Sequence, residues 1–86
     1  RLKPDLAEAY VSRGFAYANL GQHQRAIEEN NKAIRLKPDY AEAYSNQGIY
    51  YIISGNNLEG CSSLIKACEL GVCKGYELTK QNGVCR

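Results

Sequence analysis

No stretch of this 86-residue sequence is apolar for long enough to cross a membrane as a helix. The longest run, Ile49–Ile53, has five residues, against the roughly 18 that a span needs. Membrane insertion is therefore not expected, and the N-terminus also lacks the charged, apolar and small-residue order of a secretory signal. Charge of one sign is scarce as well. Eleven Lys and Arg face nine Asp and Glu, a net +2 with both signs interspersed, so no one-sided field exists to draw in nucleic acid or an anionic membrane. Histidine occurs once, at His23, and pairs with no evident nucleophile; Gly-rich phosphate loops and Cys-x-x-Cys pairs do not occur. These gaps leave no recognisable catalytic apparatus and no cofactor site. Glu28 and Glu29 read as a solvated helix face rather than an acid–base pair.

What the chain does have is repetition. Arg35–Tyr44, RLKPDYAEAY, copies nine of the ten residues of Arg1–Tyr10, RLKPDLAEAY, after a step of 34. A fixed period of this length marks an array, in which one two-helix unit is stacked until neighbours bury each other's apolar faces. The units fall at residues 7–40 and 41–74, preceded by a six-residue remnant of an earlier unit (1–6) and followed by a capping segment (75–86). On this reading the chain is the C-terminal part of a longer array. Ten positions are identical between the units, among them Tyr10/Tyr44, Gly14/Gly48, Tyr17/Tyr51, Gly21/Gly55 and Ala33/Ala67.

Helix signals punctuate each unit. Asp5 with Glu8, Asp39 with Glu42 and Asn56 with Glu59 stand at capping-box spacing. Ala9, Tyr10, Arg13, Gly14, Tyr17 and Leu20 then make one stripe on a helix that ends at Gly21, a left-handed C-cap. A second helix runs from about Gln22 to Leu36, with Ala26, Ile27, Ala33, Ile34 and Leu36 inward, and Pro38 bars its continuation. In the second unit Gly55 and Gly71 close the helices, and Leu58, Cys61, Leu64, Ile65, Cys68 and Leu70 form the last apolar face. Lys74–Asn82 reads as a terminal helix covering that face.

All four cysteines, Cys61, Cys68, Cys73 and Cys85, fall in this final hairpin. Cys61 and Cys68 are seven residues apart on one helix, roughly 10 Å by the rise per residue, too far for a bond between them. If the terminal helix folds back antiparallel, Cys73 comes to Cys68 and Cys85 to Cys61. The pairing Cys61–Cys85 with Cys68–Cys73 is thus favoured among three connectivities, beside the alternatives of reduced packing cysteines and of metal or thiol chemistry. One zinc ion fits poorly, because the thiols sit in two pairs at opposite ends of the hairpin. Disulfides imply an extracytoplasmic location; reduced thiols imply the cytoplasm.

The set Tyr10, Gly14, Tyr17, Ala26, Ala33 and Pro38 resembles the tetratricopeptide repeat, with Tyr10 where that family prefers Trp, a residue this chain lacks. The departures are Arg13 and Gln47 at its Leu position, Asn30 at its aromatic position, Gly60 at its second Ala and Val72 at its Pro. The losses after Gly55 are read as a second unit that no longer hands over to a third. The resemblance implies an all-α fold, antiparallel helix-turn-helix repeats stacked as a short α-solenoid of about five helices. It also implies a non-catalytic scaffold that binds a peptide or protein in a concave groove. Carried over by position, the groove presents Glu8, Val11, Phe15, Ala18 and Asn19, then Glu42, Ser45, Ile49, Ile52 and Ile53. A family subtype that clamps a C-terminal carboxylate with Lys and Asn is not matched, since Val11 and Phe15 occupy two of those places and only Asn46 fits. The alternative to ligand binding is a structural unit that pairs as a homodimer through exposed repeat faces.

Overall fold

The computed structural model describes residues 6–85. They form five helices, α1 (Leu6–Asn19), α2 (His23–Leu36), α3 (Ala41–Ile53), α4 (Asn57–Glu69) and α5 (Lys74–Gln81), and no strand among the described residues. Helices α1 and α2 pack as one antiparallel pair and α3 and α4 as a second; α2 packs on α3 between the pairs, and α5 lies on α4. This is the all-helical stack the 34-residue period predicts. Residues 1–5 and 86 lie outside the described residues, and with them nearly all of the 1–6 remnant and Asp5 of the first capping box.

One turn is used throughout. After α1 the Gly21 N–H donates to the Ala18 carbonyl (2.9 Å) and the Gln22 N–H to the Tyr17 carbonyl (2.9 Å), the two bonds of a Schellman motif. The same pair of bonds recurs at Gly55 and Asn56, at Gly71 and Val72, and at Gly83 and Val84. It needs a left-handed residue, and Gly21 (φ +80°) and Gly55 (φ +91°) supply one without a Cβ clash.

This turn also explains why the capping box at the start of α4 does not form. At the start of α4 the Asn56 N–H is already donated to the Tyr51 carbonyl at 2.8 Å, so Glu59 has no free amide to reach back to. Asn56 makes no side-chain cap bond. At α3 the N-cap position falls on Tyr40, which leaves Asp39 one residue outside the place a capping side chain needs.

The core is built mainly from small residues. Ala7, Val11, Ala33 and Ala43 cluster with Tyr10, Ile34 and Tyr40; Ala26, Ile27 and Tyr50 cluster with Tyr17, Ala18 and Tyr51. Between α3 and α4, Gly48 and Gly60 meet backbone to backbone, a Cβ on either falling 2.8 Å from the other's carbonyl oxygen. Gly60 is therefore a close-packing residue in the second unit rather than a decayed Ala.

Several inward assignments are corrected. Leu20 and Leu36, at helix ends, are exposed, as are Leu58 and Ile65. Arg13 and Ala9 are exposed too, and the buried residues of α1 are Ala7, Val11 and Gly14. Glu29 is buried, not solvated, because it is neutralised: the Arg13 guanidinium lies 3.0 Å from its Oε1 and the Lys32 ammonium 3.6 Å from its Oε2. Asn30, at the aromatic position, is fully buried beneath Gly14. Its Nδ2 donates to the Ala26 carbonyl at 3.0 Å, and its Oδ1 is without a partner.

Candidate functional site

The positions assigned to the groove form five pairs 34 residues apart on the first helices of the two units, Glu8/Glu42, Val11/Ser45, Phe15/Ile49, Ala18/Ile52 and Asn19/Ile53. Their exposure follows the period. Glu8 and Glu42 are exposed and so is Asn19; Phe15 is 59% exposed, Ile49 40% and Ile53 59%. Ala18 and Ile52 are half-buried, Ile52 because it abuts Gly60 across the α3/α4 contact.

Val11 and Ser45 are corrections to the open-groove assignment, since both are buried. The cause is the same in each unit: the next first helix leans over this position. Val11 packs with Ala43 of α3, and Ser45 lies under α5, where a Cβ on Gly75 would stand 3.4 Å from its Oγ. The uncovered apolar residues are thus Phe15, Ile49 and Ile53, with Glu8, Glu42 and Asn19 as their polar companions.

Polar bonds fix how the helices carrying these residues sit. In the first unit Arg13 of α1 donates from Nε to Glu29 of α2 at 3.0 Å, while Arg13 and Lys32 both stand over the Tyr10 ring, 5.5 and 5.6 Å from its centroid. In the second unit Gln47 of α3 takes the place of Arg13. Its Nε2 donates to Asn31 of α2, and its Oε1 accepts from Ser63 of α4 at 3.2 Å. The sequence marked Arg13 and Gln47 only as departures at the Leu position of the resembling family and did not show the network, because the partners lie 16 residues away on other helices.

Both cysteine pairs are at bonding distance, Cys61 with Cys85 and Cys68 with Cys73, in the connectivity that the hairpin favours. The first joins α4 to the segment after α5, with Cα atoms 5.5 Å apart. The second closes the turn between the two helices.

Burial pushes the Tyr50 phenol above its ordinary value of 10.0, because the phenolate loses hydration. A raised folded-state value in an acid means the neutral form is favoured by folding. That contribution is fully present below pH 10, the unfolded value, and is lost as pH rises through the folded one. In a near-ultraviolet titration Tyr50 is expected to give a late ionisation step, and Tyr50→Phe should remove it. A Tyr50→Phe curve that keeps the late step would show that another of the seven tyrosines produces it.

Residues 7–40 match the tetratricopeptide repeat family. That span is similar to a tetratricopeptide repeat. The matched span covers α1, α2 and the turn into α3, and the pair α3 and α4 follows it at the 34-residue step. Tetratricopeptide repeats mediate protein–protein interactions. Among curated proteins, no match to the chain was found. No helix among the described residues is long and apolar enough to cross a membrane.

Proposed function

We propose that the chain is a non-catalytic protein-binding module that takes a peptide or protein segment on the face of α1 and α3 bearing Phe15, Ile49 and Ile53. The observation that carries this reading is periodic exposure. Phe15 and Ile49 occupy the same place in successive repeats and both remain open to solvent, 59% and 40%, as does Ile53 one turn on, 59%. Uncovered apolar residues flanked by polar ones suit a contact surface. Glu8 and Glu42 stand beside them in register and favour a ligand that is apolar with basic flanks. This is the opposite charge preference to a carboxylate clamp. An oxidising, extracytoplasmic compartment belongs to the same reading, since two bridges within residues 61–85 persist only where thiols are not kept reduced.

The test is a pull-down with the wild-type chain against Phe15→Glu and Ile49→Glu. Both positions are exposed, so the helical signal in circular dichroism should be unchanged. Each charge is expected to weaken the captured partners by roughly tenfold or more, the effect of placing an unpaired charge in a contact core. An unaltered set of partners at unaltered strength would show that this face is not the contact surface.

A further inference from the structure

The Cys61–Cys85 bridge is not closed off equally on its two sides. Cys85 is 2% exposed, whereas Cys61 is half-buried and lines an open groove of about 500 Å³ against α4, together with Asn57, Leu58, Ser62, Ile65 and Val84. The 34-residue register shows how the opening arises. Cys61 stands where Ile27 stands on α2, and Ile27, packed with Tyr50 of α3, is 1% exposed. Helix α5 lies on α4 as α3 lies on α2, but it runs for 8 residues against 13 and turns away at Gly83 (φ +80°) before the counterpart of Tyr50, which is Val84. A valine past the helix end covers less than a tyrosine on the helix. The cover that α5 gives thus stops short of Cys61.

A disulfide at the wall of an open groove is attacked by a thiolate, at a rate set by which sulfur can be approached. We infer that Cys61 is the entry point for thiol–disulfide exchange, and that the reacting partner is a protein dithiol whose attacking cysteine is carried in an uncharged, apolar loop. The groove sets that loop's chemistry: Leu58 and Ile65, one turn to either side of Cys61, are 82% and 41% exposed, and the lining has no charged side chain. In the first step the partner's thiolate bonds to the Cys61 sulfur, the Cys61–Cys85 bond breaks, and Cys85 leaves as a thiolate that takes a proton from water. In the second the partner's other thiolate attacks the mixed disulfide and releases Cys61, which is protonated in turn. The bridge is reduced to two thiols and the partner dithiol is oxidised to a disulfide. Exchange removes the bond that holds the far end of α5, leaving Cys68–Cys73 at its near end. The helix then ceases to cover Ser45 and Leu64, which a Cβ on Gly75 would approach at 3.4 and 2.9 Å. This site stands or falls separately from the Phe15 and Ile49 face.

The experiment incubates the intact oxidised chain with a thioredoxin-type protein whose second active-site cysteine is changed to serine, which stalls exchange at the mixed disulfide. Peptide mapping by mass spectrometry is expected to find the link at Cys61. With the unaltered dithiol protein, Leu58→Ser combined with Ile65→Ser should slow the opening of Cys61–Cys85 by roughly tenfold. Opening by dithiothreitol, which does not dock, should proceed at the wild-type rate. Both positions are exposed, so the helical signal of the variant should match the wild type. The inference is overturned if the link forms at Cys85, Cys68 or Cys73, or if no link forms where dithiothreitol opens the bridge. It is also overturned if the double variant is opened by the dithiol protein as fast as the wild type, or is slowed equally with both reagents. Opening that accelerates with urea in step with global unfolding would overturn it too, since exchange would then proceed through the unfolded chain.

Discussion

Reduction of the two bridges is expected to lower the midpoint of thermal unfolding by roughly 20 to 45 °C, with α5 the first element to lose protection. Helix α5 buries none of its eight residues, and a helix that short is not stable alone in water. What holds it is covalent. The Cys61–Cys85 bridge joins residues 24 apart in sequence, and closing a loop of that size removes chain entropy worth about 3.5 kcal/mol. Cys68–Cys73 joins residues five apart and is worth about 2 kcal/mol on the same scale. For a domain of this size each kcal/mol moves the midpoint by roughly 4 to 8 °C, so the larger bridge dominates. Cys61→Ser with Cys85→Ser should reproduce most of the loss, to which the buried Cys85 side chain also contributes. Cys68→Ser with Cys73→Ser should give the smaller part. Hydrogen exchange of the α5 amides, compared with and without reductant, reads the order directly. A midpoint that ignores reductant would show that α5 is held by packing alone.

Gly60→Ala should destabilise the chain by about 2 kcal/mol, although alanine is the better helix former. Two effects oppose one another. Propensity favours the substitution by about 1 kcal/mol. Against it, the new Cβ would stand 2.5 Å from Ile52 Cγ1 and 2.8 Å from the Gly48 carbonyl oxygen, and the carbonyl is backbone, so α3 and α4 must separate. Overpacking of this kind costs about 1 to 3 kcal/mol and occasionally more, and here the loss extends along the interface that buries Leu64 completely. Gly48→Ala meets Leu64 Cγ at 2.7 Å and the Gly60 carbonyl oxygen at 2.8 Å, so its cost should be similar. The double variant should cost less than the sum, because the helices are already apart after the first change. Gly14→Ala is the control: its nearest neighbours would be 3.1 and 3.2 Å away, a tightness that the propensity gain nearly offsets. Urea unfolding of the four variants checks the ranking, and a Gly60→Ala chain as stable as the wild type would overturn the close-contact argument.

The helix limits were legible because the residues that set them act locally. A left-handed turn wants glycine whatever surrounds it, and Gly21, Gly55, Gly71 and Gly83 all have positive φ. The cysteine pairing was legible for a related reason: a short hairpin leaves few ways to bring four thiols together. What escaped was whatever depends on a neighbour two helices away. Glu29 looks like any surface glutamate until Arg13 closes on it, and Gly60 looks like a lost alanine until Gly48 is placed opposite. Val11 and Ser45 carry the right position for a groove, but their burial is decided by the lean of α3 and α5. Phe15, Ile49 and Ile53 were assigned by position alone, and their exposure follows the same period.

Gln47 stands where an apolar residue would have made a more forgiving joint. A leucine packed between helices tolerates a small slide or rotation, because dispersion has no preferred direction. An amide that donates to Asn31 on one side and accepts from Ser63 on the other loses both bonds if α2, α3 and α4 rotate against each other, since hydrogen bonds weaken steeply off axis. The side chain therefore works as an angular gauge, setting the rotation from one unit to the next and with it the pitch of the superhelix that such units make.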